Sequence, residues 1–413
     1  MPVDITRSRH ALAFIVFVVL LDAISFGIVL PVMPKLIMSL ADVSLSEASR
    51  IGGYLMFTYA AVQFFAAPIL GNLGDKYGRR PILLYTLAAL GADYLLMAAA
   101  PTIAWLFAAR FIAGVASSSF SIAYAYVTDI TPQENRAQRF GMIGAAFGGG
   151  FVLGPVIGGL LGEFGARIPF YAAAGLAGVN LIYGYFMLGE SLGKENRREF
   201  DLRRANPVGA VLQLRKYPVI LGLAFAYFLY MIGHMSLPST WTYFTIEKFS
   251  WSESQIGLSL GFAGVFMIVV QAGLIRWAIP ALGAYRAGIL GMVAIIVGFS
   301  GYAFSTQGWQ LYPWLAVAAL SGFVTPAFQA IMTSRIPANA QGELQGALSS
   351  LNSITSIIGP LLLTQLFAAF THAEAPIYFP GVSFFAAAVL SFVCLLVFVF
   401  VVRKHGLTSL GKK

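Results

Sequence analysis

The sequence has little charge, one cysteine and few histidines. Charged residues make up 10% of its 413 residues, whereas 58% are hydrophobic, and the mean hydropathy is +0.79. A soluble domain carries roughly a quarter of its residues as charges, so this composition excludes a soluble globular protein and indicates one embedded in lipid. Cys394 stands alone, which excludes a disulfide and a cysteine metal cluster. The histidines are scattered without metal-ligand spacing, so we expect no metal.

Enzyme motifs and a cleavable targeting signal are also lacking. The glycine-rich stretches have neither the strand-turn-helix context nor the Lys-Ser/Thr pair of a phosphate-binding loop. We therefore expect no enzyme, no cofactor and no direct coupling to ATP. The first apolar run has no small-residue cleavage site before a soluble domain and is one of many, which argues against a secretory signal.

Apolar runs are what the sequence contains in excess. A transmembrane helix needs about 20 apolar residues, and we count twelve such runs. They fall roughly at residues 10–37, 51–70, 81–100, 102–128, 140–162, 167–189, 217–240, 254–275, 287–305, 309–332, 344–371 and 379–402. The longest hydrophilic stretch, 190–216, is interpreted as a cytoplasmic linker that could carry an amphipathic helix. We predict an all-α membrane protein with six-helix bundles at 1–189 and 217–413.

The two halves of the sequence repeat each other. A shift of 205 residues superimposes five glycines and prolines of the first half on identical residues of the second: Gly78 on Gly283, Pro132 on Pro337, Gly141 on Gly346, Gly154 on Gly359 and Pro155 on Pro360. Each half has an even number of runs, so the copies are parallel, as in transporters built from two six-helix halves. Such transporters bind substrate at the interface between halves, near the middle of the membrane.

The distribution of cations accounts for the net charge of +9, so the charge does not indicate binding to nucleic acid. With the N-terminus inside, most Lys and Arg residues fall on one side of the membrane. Those on the other side are Lys35, Arg50, Arg167 and Lys248, and Arg110 lies within a span. This is the positive-inside pattern, which predicts cytoplasmic termini and, in our interpretation, a bacterial inner membrane protein.

Three charges lie inside the predicted spans, and such charges are costly and usually functional. Asp22 and Asp93 each lie about 18 Å from the cytoplasmic start of their span, at 1.5 Å per residue. Arg110 lies about as far after Pro101 as Asp93 lies before it, so this pair can meet on antiparallel helices. A paired carboxylate is a poor proton carrier, so we rank Asp22 ahead of Asp93 for proton coupling. The alternative is that both acids only hold helices together.

Two glycine-rich stretches have distinct predicted roles. Residues 71–81 read G-N-L-G-D-K-Y-G-R-R-P and predict a tight cytoplasmic turn with a charged latch. The predicted latch residues are Gly71, Asp75, Gly78, Arg79 and Arg80. Asp75 is expected close to a helix start, where negative charge is favoured.

The second glycine-rich stretch lies in span five and places glycines four residues apart on one helical face. The face predicts close helix packing, and Pro155 permits a bend. Both a static packing surface and a pivot between the halves fit this pattern. The predicted pivot residues are Gly150, Gly154, Pro155, Gly158 and Gly159.

Several of these motifs resemble a known family. Residues 71–81 resemble the signature loop of the major facilitator superfamily, Arg110 with Gly114 resembles its span-four motif, and 150–162 resembles the span-five motif of its drug:proton antiporters. Residues 21–34, 93–96, 129–137, 251–260 and 341–346 are similar to the tetracycline-efflux branch.

The resemblance implies twelve helices, a central cavity, rocking alternating access and export driven by the proton gradient. It also implies that Asp22 and Asp93 act in coupling and in recognition of substrate cations, and that Asp75 and Arg79 act in the latch. The cavity is predicted to involve Gln63, Arg110, Tyr124, Tyr227, His234, Gln271, Gln329 and Asn352.

The sequence departs from this branch at two positions. Ile295 stands where the branch has an acid in span nine, and His234 stands where it has a glutamine. The first change disfavours a metal-chelated tetracycline as substrate. We predict a monomeric, proton-coupled exporter of small amphipathic compounds. The alternatives are a symporter or exporter of one metabolite on the same fold and a transport-inactive scaffold or receptor.

Overall fold

The structure is a computed structural model, and it describes residues 5–116, 119–200, 217–337 and 340–407. These residues form helices and connecting turns, without a strand among them. The helices of the first half are α1 (Ile5–Val29), α2 (Met33–Ala41), α3 (Leu45–Tyr77), α4 (Arg79–Ala99), α5 (Ile103–Ala116), α6 (Ser119–Ile130), α7 (Arg136–Gly162) and α8 (Ile168–Met187). Those of the second half are α9 (Pro218–His234), α10 (Ser236–Phe249), α11 (Glu253–Ile268), α12 (Ile275–Phe304), α13 (Leu311–Ala319), α14 (Val324–Thr333), α15 (Gln341–Thr371) and α16 (Val382–Lys404).

The described helices fit the predicted twelve spans. Ten helical stretches are long and apolar enough to cross a membrane. One of them, Glu253–Phe304, has 52 residues and is interrupted at Gly283, so it supplies two spans. The remaining predicted run, 102–128, contains the shorter apolar helix α5 and most of α6. The all-α membrane fold is therefore confirmed.

The first predicted span is too long at its end. Instead of running from 10 to 37, α1 ends at Val29 and a separate helix, α2, follows. Pro31 has no N–H to donate to the carbonyl of Gly27, so the chain leaves the helix there. Pro34 then lies in the first turn of α2, where proline is tolerated.

The described chain divides into two compact units. The first comprises residues within Met1–Val43, Thr58–Asn206 and Ser252–Gly261, and the second comprises residues within Ser44–Phe57, Pro207–Trp251 and Phe262–Lys413. Each unit thus includes a short segment from the other half of the sequence. The proposed bundle boundaries at 189 and 217 stay a prediction, and residues 201–216 of the linker lie outside the described residues.

The core of the first unit forms where α1 meets α4, α6 and α7. Phe14, Leu87, Val127 and Ile143, one from each of these helices, are all buried and belong to one apolar cluster. Without a hydrophobic driving force between helices in lipid, such contacts hold by close packing.

The glycine face of α7 lies directly on α1 within this unit. A Cβ at Gly154 would lie 2.6 Å from the carbonyl oxygen of Ile24, and one at Gly158 would collide with the backbone of Ile28. On the neighbouring face, a Cβ at Gly159 would lie 3.1 Å from the Cα of Gly257 in α11. The described contacts therefore include close packing, whereas the pivot role stays a proposal.

Gly158→Ala is expected to destabilise the protein by about 1 to 3 kcal/mol, because its methyl group has no space against α1. Gly144→Ala on the same helix is the matched control, since a Cβ there meets nothing within 4 Å. The measurement is thermal unfolding of both variants in detergent. Equal melting temperatures for the two variants would contradict the packing described here.

The predicted repeat is visible in the backbone. Gly78 has φ 107° and ψ 160°, and its counterpart Gly283 has φ 77° and ψ 157°. Residues with a Cβ rarely adopt this conformation, so both turns require glycine. Gly154 packs on α1, and its counterpart Gly359 packs on α9, the first helix of the second half, near Ile232.

Candidate functional site

Asp22 is buried in the first unit and bonded to a neutral amide. Its side chain lies on α1, and the residue is 5% exposed. The Nδ2 of Asn180, on α8, donates to Oδ1 of Asp22 at 3.1 Å and to the carbonyl oxygen of Val18 at 3.2 Å. Sequence reasoning missed Asn180, because a single amide in an apolar run does not indicate its partner. The only signal in the sequence is that a polar side chain in lipid needs a hydrogen-bonding partner.

Asp93 and Arg110 form the predicted ion pair. Nη2 of Arg110, on α5, donates to Oδ2 of Asp93, on α4, whose residue is fully buried. The same nitrogen lies 2.8 Å from the sulfur of Met97, and the guanidinium lies 5.7 Å from the ring centre of Tyr59. The carboxylate of Asp93 is therefore balanced by a cation that packing holds in place.

Tyr94 connects the two acids. It is 2% exposed on α4, and it interacts electrostatically with Asp22, Asp93, Arg110 and Tyr59. These five residues, of which Tyr59 and Arg110 are half-buried and the others buried, form one cluster in the first unit, which we call the acid cluster. Within it, Asp93 has a bonded cation, whereas the amide of Asn180 serves Asp22.

The other cavity residues predicted in the first half lie on α3 and α6. Gln63 is half-buried on α3. Tyr124, on α6, is 38% exposed, and its ring lies 5.2 Å from that of Phe140 on α7.

A cavity of about 260 Å³ lies in the second unit. Its lining contains two of the predicted residues, His234 and Gln271, and no acid: Tyr230, Met231, His234, Met267, Gln271, Ile275, Ser321, Gly322, Thr325 and Pro326. Tyr227 reaches this lining through its hydroxyl, 3.4 Å from that of Thr325. The ring of His234 stacks on Tyr230 at 5.6 Å.

The backbone on two sides of this cavity is irregular. Gln271 lies in a π-helical turn, Val269–Leu274, and Ser321 with Gly322 lies in a 3₁₀ turn, Leu320–Phe323. Single π-helical turns occur frequently at functional sites.

The remaining predicted cavity residues of the second half lie elsewhere. Gln329 and Asn352 are exposed and do not line the cavity. Ile295 is buried.

The turn between α3 and α4, which carries the latch, is shorter than predicted. Gly71 lies inside α3, which continues to Tyr77, and Gly78 alone links α3 to α4. The predicted setting of Asp75 is therefore wrong: it lies in the last turn of α3, where the helix dipole disfavours an acid. Its Oδ1 pairs instead with Nη2 of Arg79 at 2.5 Å, and this pair offsets the dipole.

Two acids that sequence reasoning did not assign complete the latch. Nε of Arg79 lies 3.3 Å from Oδ2 of Asp129, which also accepts a hydrogen bond from Ser191. The carboxylate of Glu190 accepts hydrogen bonds from the backbone N–H groups of Arg79 at 2.7 Å and Arg80 at 3.3 Å. Glu190 thus satisfies two donors at the N-terminus of α4, where negative charge is favoured. Arg80 donates to the carbonyl oxygen of Tyr185.

Comparison with known proteins identifies the family of the chain. The profile of the Major Facilitator Superfamily matches residues 13–360. The chain is 39% identical to the class C tetracycline resistance protein of Escherichia coli, over 94% of this chain and 96% of that protein. It is 35% identical to the class G tetracycline resistance protein of Vibrio anguillarum, over the same shares of the two chains.

The fold also resembles a solved transporter structure. The nucleoside transporter NupG superimposes with a TM-score of 0.78 at 13% identity, covering 95% of this chain and 99% of that one. The chain therefore belongs to the Major Facilitator Superfamily, in the branch of the tetracycline resistance proteins.

Proposed function

We propose that this protein exports small amphipathic organic compounds in exchange for protons, by alternating access. The observation that carries the proposal is the acid cluster, in which a buried Asp22 bonded to an amide lies beside a compensated Asp93–Arg110 pair. A buried acid inside a membrane-spanning bundle is costly and is expected to have a function. The energy comes from the proton gradient, without a cofactor or ATP.

The proposed cycle uses competition between proton and cargo. Substrate enters from the cytoplasm and displaces a proton from Asp22, the halves rearrange, and the substrate leaves on the other side. Reprotonation of Asp22 then permits the return. Asp93, held by Arg110, ranks second to Asp22 as the group that carries the proton.

Tetracycline-like compounds are the substrate class that the relatives suggest. The cavity in the second unit, with His234 and Gln271 in its lining, takes part in binding such a molecule. Ile295 and the acid-free lining favour an uncharged molecule over a metal chelate, because a bound divalent cation needs oxygen ligands with negative charge.

The remaining roles follow from the cytoplasmic orientation of both termini that the cation distribution predicts. We propose that the latch residues of the first unit stabilise one conformation on the cytoplasmic side. Gly154, Pro155 and Gly158 then provide the packing surface around which helices shift. We further propose a monomer in the bacterial inner membrane, in contact with lipid, with protons and small molecules as its partners.

Transport direction tests this proposal. Proteoliposomes with an acidic interior and purified protein are expected to accumulate radiolabelled tetracycline, because inward movement of substrate accompanies outward movement of protons. Liposomes with an alkaline interior are the control and should not accumulate it. Accumulation only with the alkaline interior would indicate symport and contradict the proposal.

A further inference from the structure

Asn180 presents one buried group that has no hydrogen-bond partner among the described residues. Its residue is fully buried, and both described bonds, to Asp22 and to Val18, use the amide nitrogen. The amide oxygen is buried and accepts no hydrogen bond within the described part of the chain. Such atoms are uncommon in folded proteins and ask for an explanation. The oxygen lies on the same side chain that already contacts the proposed proton carrier.

The hydrogen-bonding needs of Asp22 supply that explanation. An ionised carboxylate only accepts hydrogen bonds, whereas a protonated one also donates through its O–H group. A buried O–H without an acceptor is unfavourable. An amide offers both a donor and an acceptor, so one residue can serve both states of the acid. Among the groups described around Asp22, the oxygen of Asn180 is an acceptor with remaining capacity.

We propose that Asn180 is the positioning residue that stabilises both charge states of Asp22. Its N–H₂ group donates to the carboxylate, and after protonation its oxygen accepts from the carboxylic acid once the two side chains rotate. This inference rests on the proposed role of Asp22 as proton carrier. Asn180 carries no proton itself.

The cation of the acid cluster does not serve both states of Asp22. The titratable and charged groups of the cluster are Tyr94 and Asp93 on α4, Arg110 on α5 and Tyr59 on α3. Arg110 is committed to Asp93 and only donates. The helix α7 meets this stretch of α1 with Gly150, which has no side chain.

Asn180→Ala removes donor and acceptor together, and its effect can be measured without transport. Hydrogen bonds to charged groups are stronger than those to neutral ones, so the ionised form loses more. The midpoint of Asp22 protonation is expected to move up by about one pH unit. The carboxylic acid C=O infrared band of purified protein, assigned by its absence in Asp22→Asn, reports both the midpoint and the bonding of the acid. It should move to a higher frequency in Asn180→Ala.

Two further variants make the test specific. Asn180→Gln keeps the amide, so its midpoint of Asp22 protonation should lie between those of wild type and Asn180→Ala. If Asn180→Ala does not fold, Asn180→Gln is the test in its place. Ser25→Ala is the control, because this buried hydroxyl bonds only to the carbonyl oxygen of Leu21 on its own helix among the described contacts. A midpoint and band unchanged in the Asn180 variants would overturn this inference alone. Absence of a titrating Asp22 band in wild type would overturn the proton-carrier role as well.

Discussion

Replacing Asp22 by Asn is expected to reduce proton-driven accumulation of substrate to the level of liposomes without protein. Asparagine is close to aspartic acid in shape and can still bond to Asn180, but it cannot take up or release a proton. Exchange of labelled for unlabelled substrate without a gradient should persist, because that exchange requires no net proton movement. Uptake driven by a pH gradient and counterflow without one are the two measurements.

Asp42→Asn is the matched control for the loss of a carboxylate. Asp42 is exposed and has a left-handed backbone with φ 51°, which asparagine also tolerates. This variant should transport at the wild-type rate. Gradient-driven accumulation by Asp22→Asn at the wild-type rate would remove Asp22 from the coupling mechanism.

Replacing Arg110 by Ala is expected to destabilise the protein by about 3 to 5 kcal/mol, because it leaves a fully buried carboxylate without its cation. Removing both charges, in Asp93→Asn with Arg110→Gln, should recover most of this loss, since a neutral pair carries no uncompensated charge. Thermal unfolding in detergent compares Arg110→Ala with wild type, and Asp93→Asn, Arg110→Gln and their double variant give the coupling energy.

Arg286→Ala is the control for loss of a cation, because Arg286 is exposed. Its melting temperature should equal that of wild type. If Arg110→Ala were as stable as Arg286→Ala, the Asp93–Arg110 bond would not be the balanced pair that the acid cluster requires.

The pairing of Asp93 with Arg110 was predictable because lipid leaves few alternatives. A charge in a span needs compensation, and the two residues lie at similar distances from the turn at Pro101. The twelve spans were predictable for the same reason, since backbone groups in lipid must be satisfied within helices.

The bond between Asp22 and Asn180 was not predictable in this way. Their helices are far apart in sequence, and which face of α8 meets α1 depends on side-chain packing along both helices. The position of the turn between α3 and α4 was not predictable either. Gly71, Gly74 and Gly78 all permit a turn, and the structure identifies Gly78 as the one that forms it. Asp129 and Glu190 each follow directly after a predicted span, and the sequence does not indicate which groups of the latch they meet.

The central claim is that proton and cargo compete at Asp22, and proton release on substrate binding tests it most directly. Purified protein in weakly buffered detergent solution, mixed with tetracycline, should release protons that a pH-sensitive dye detects, and Asp22→Asn should release none. No release from wild type, or equal release from both proteins, would contradict the claim.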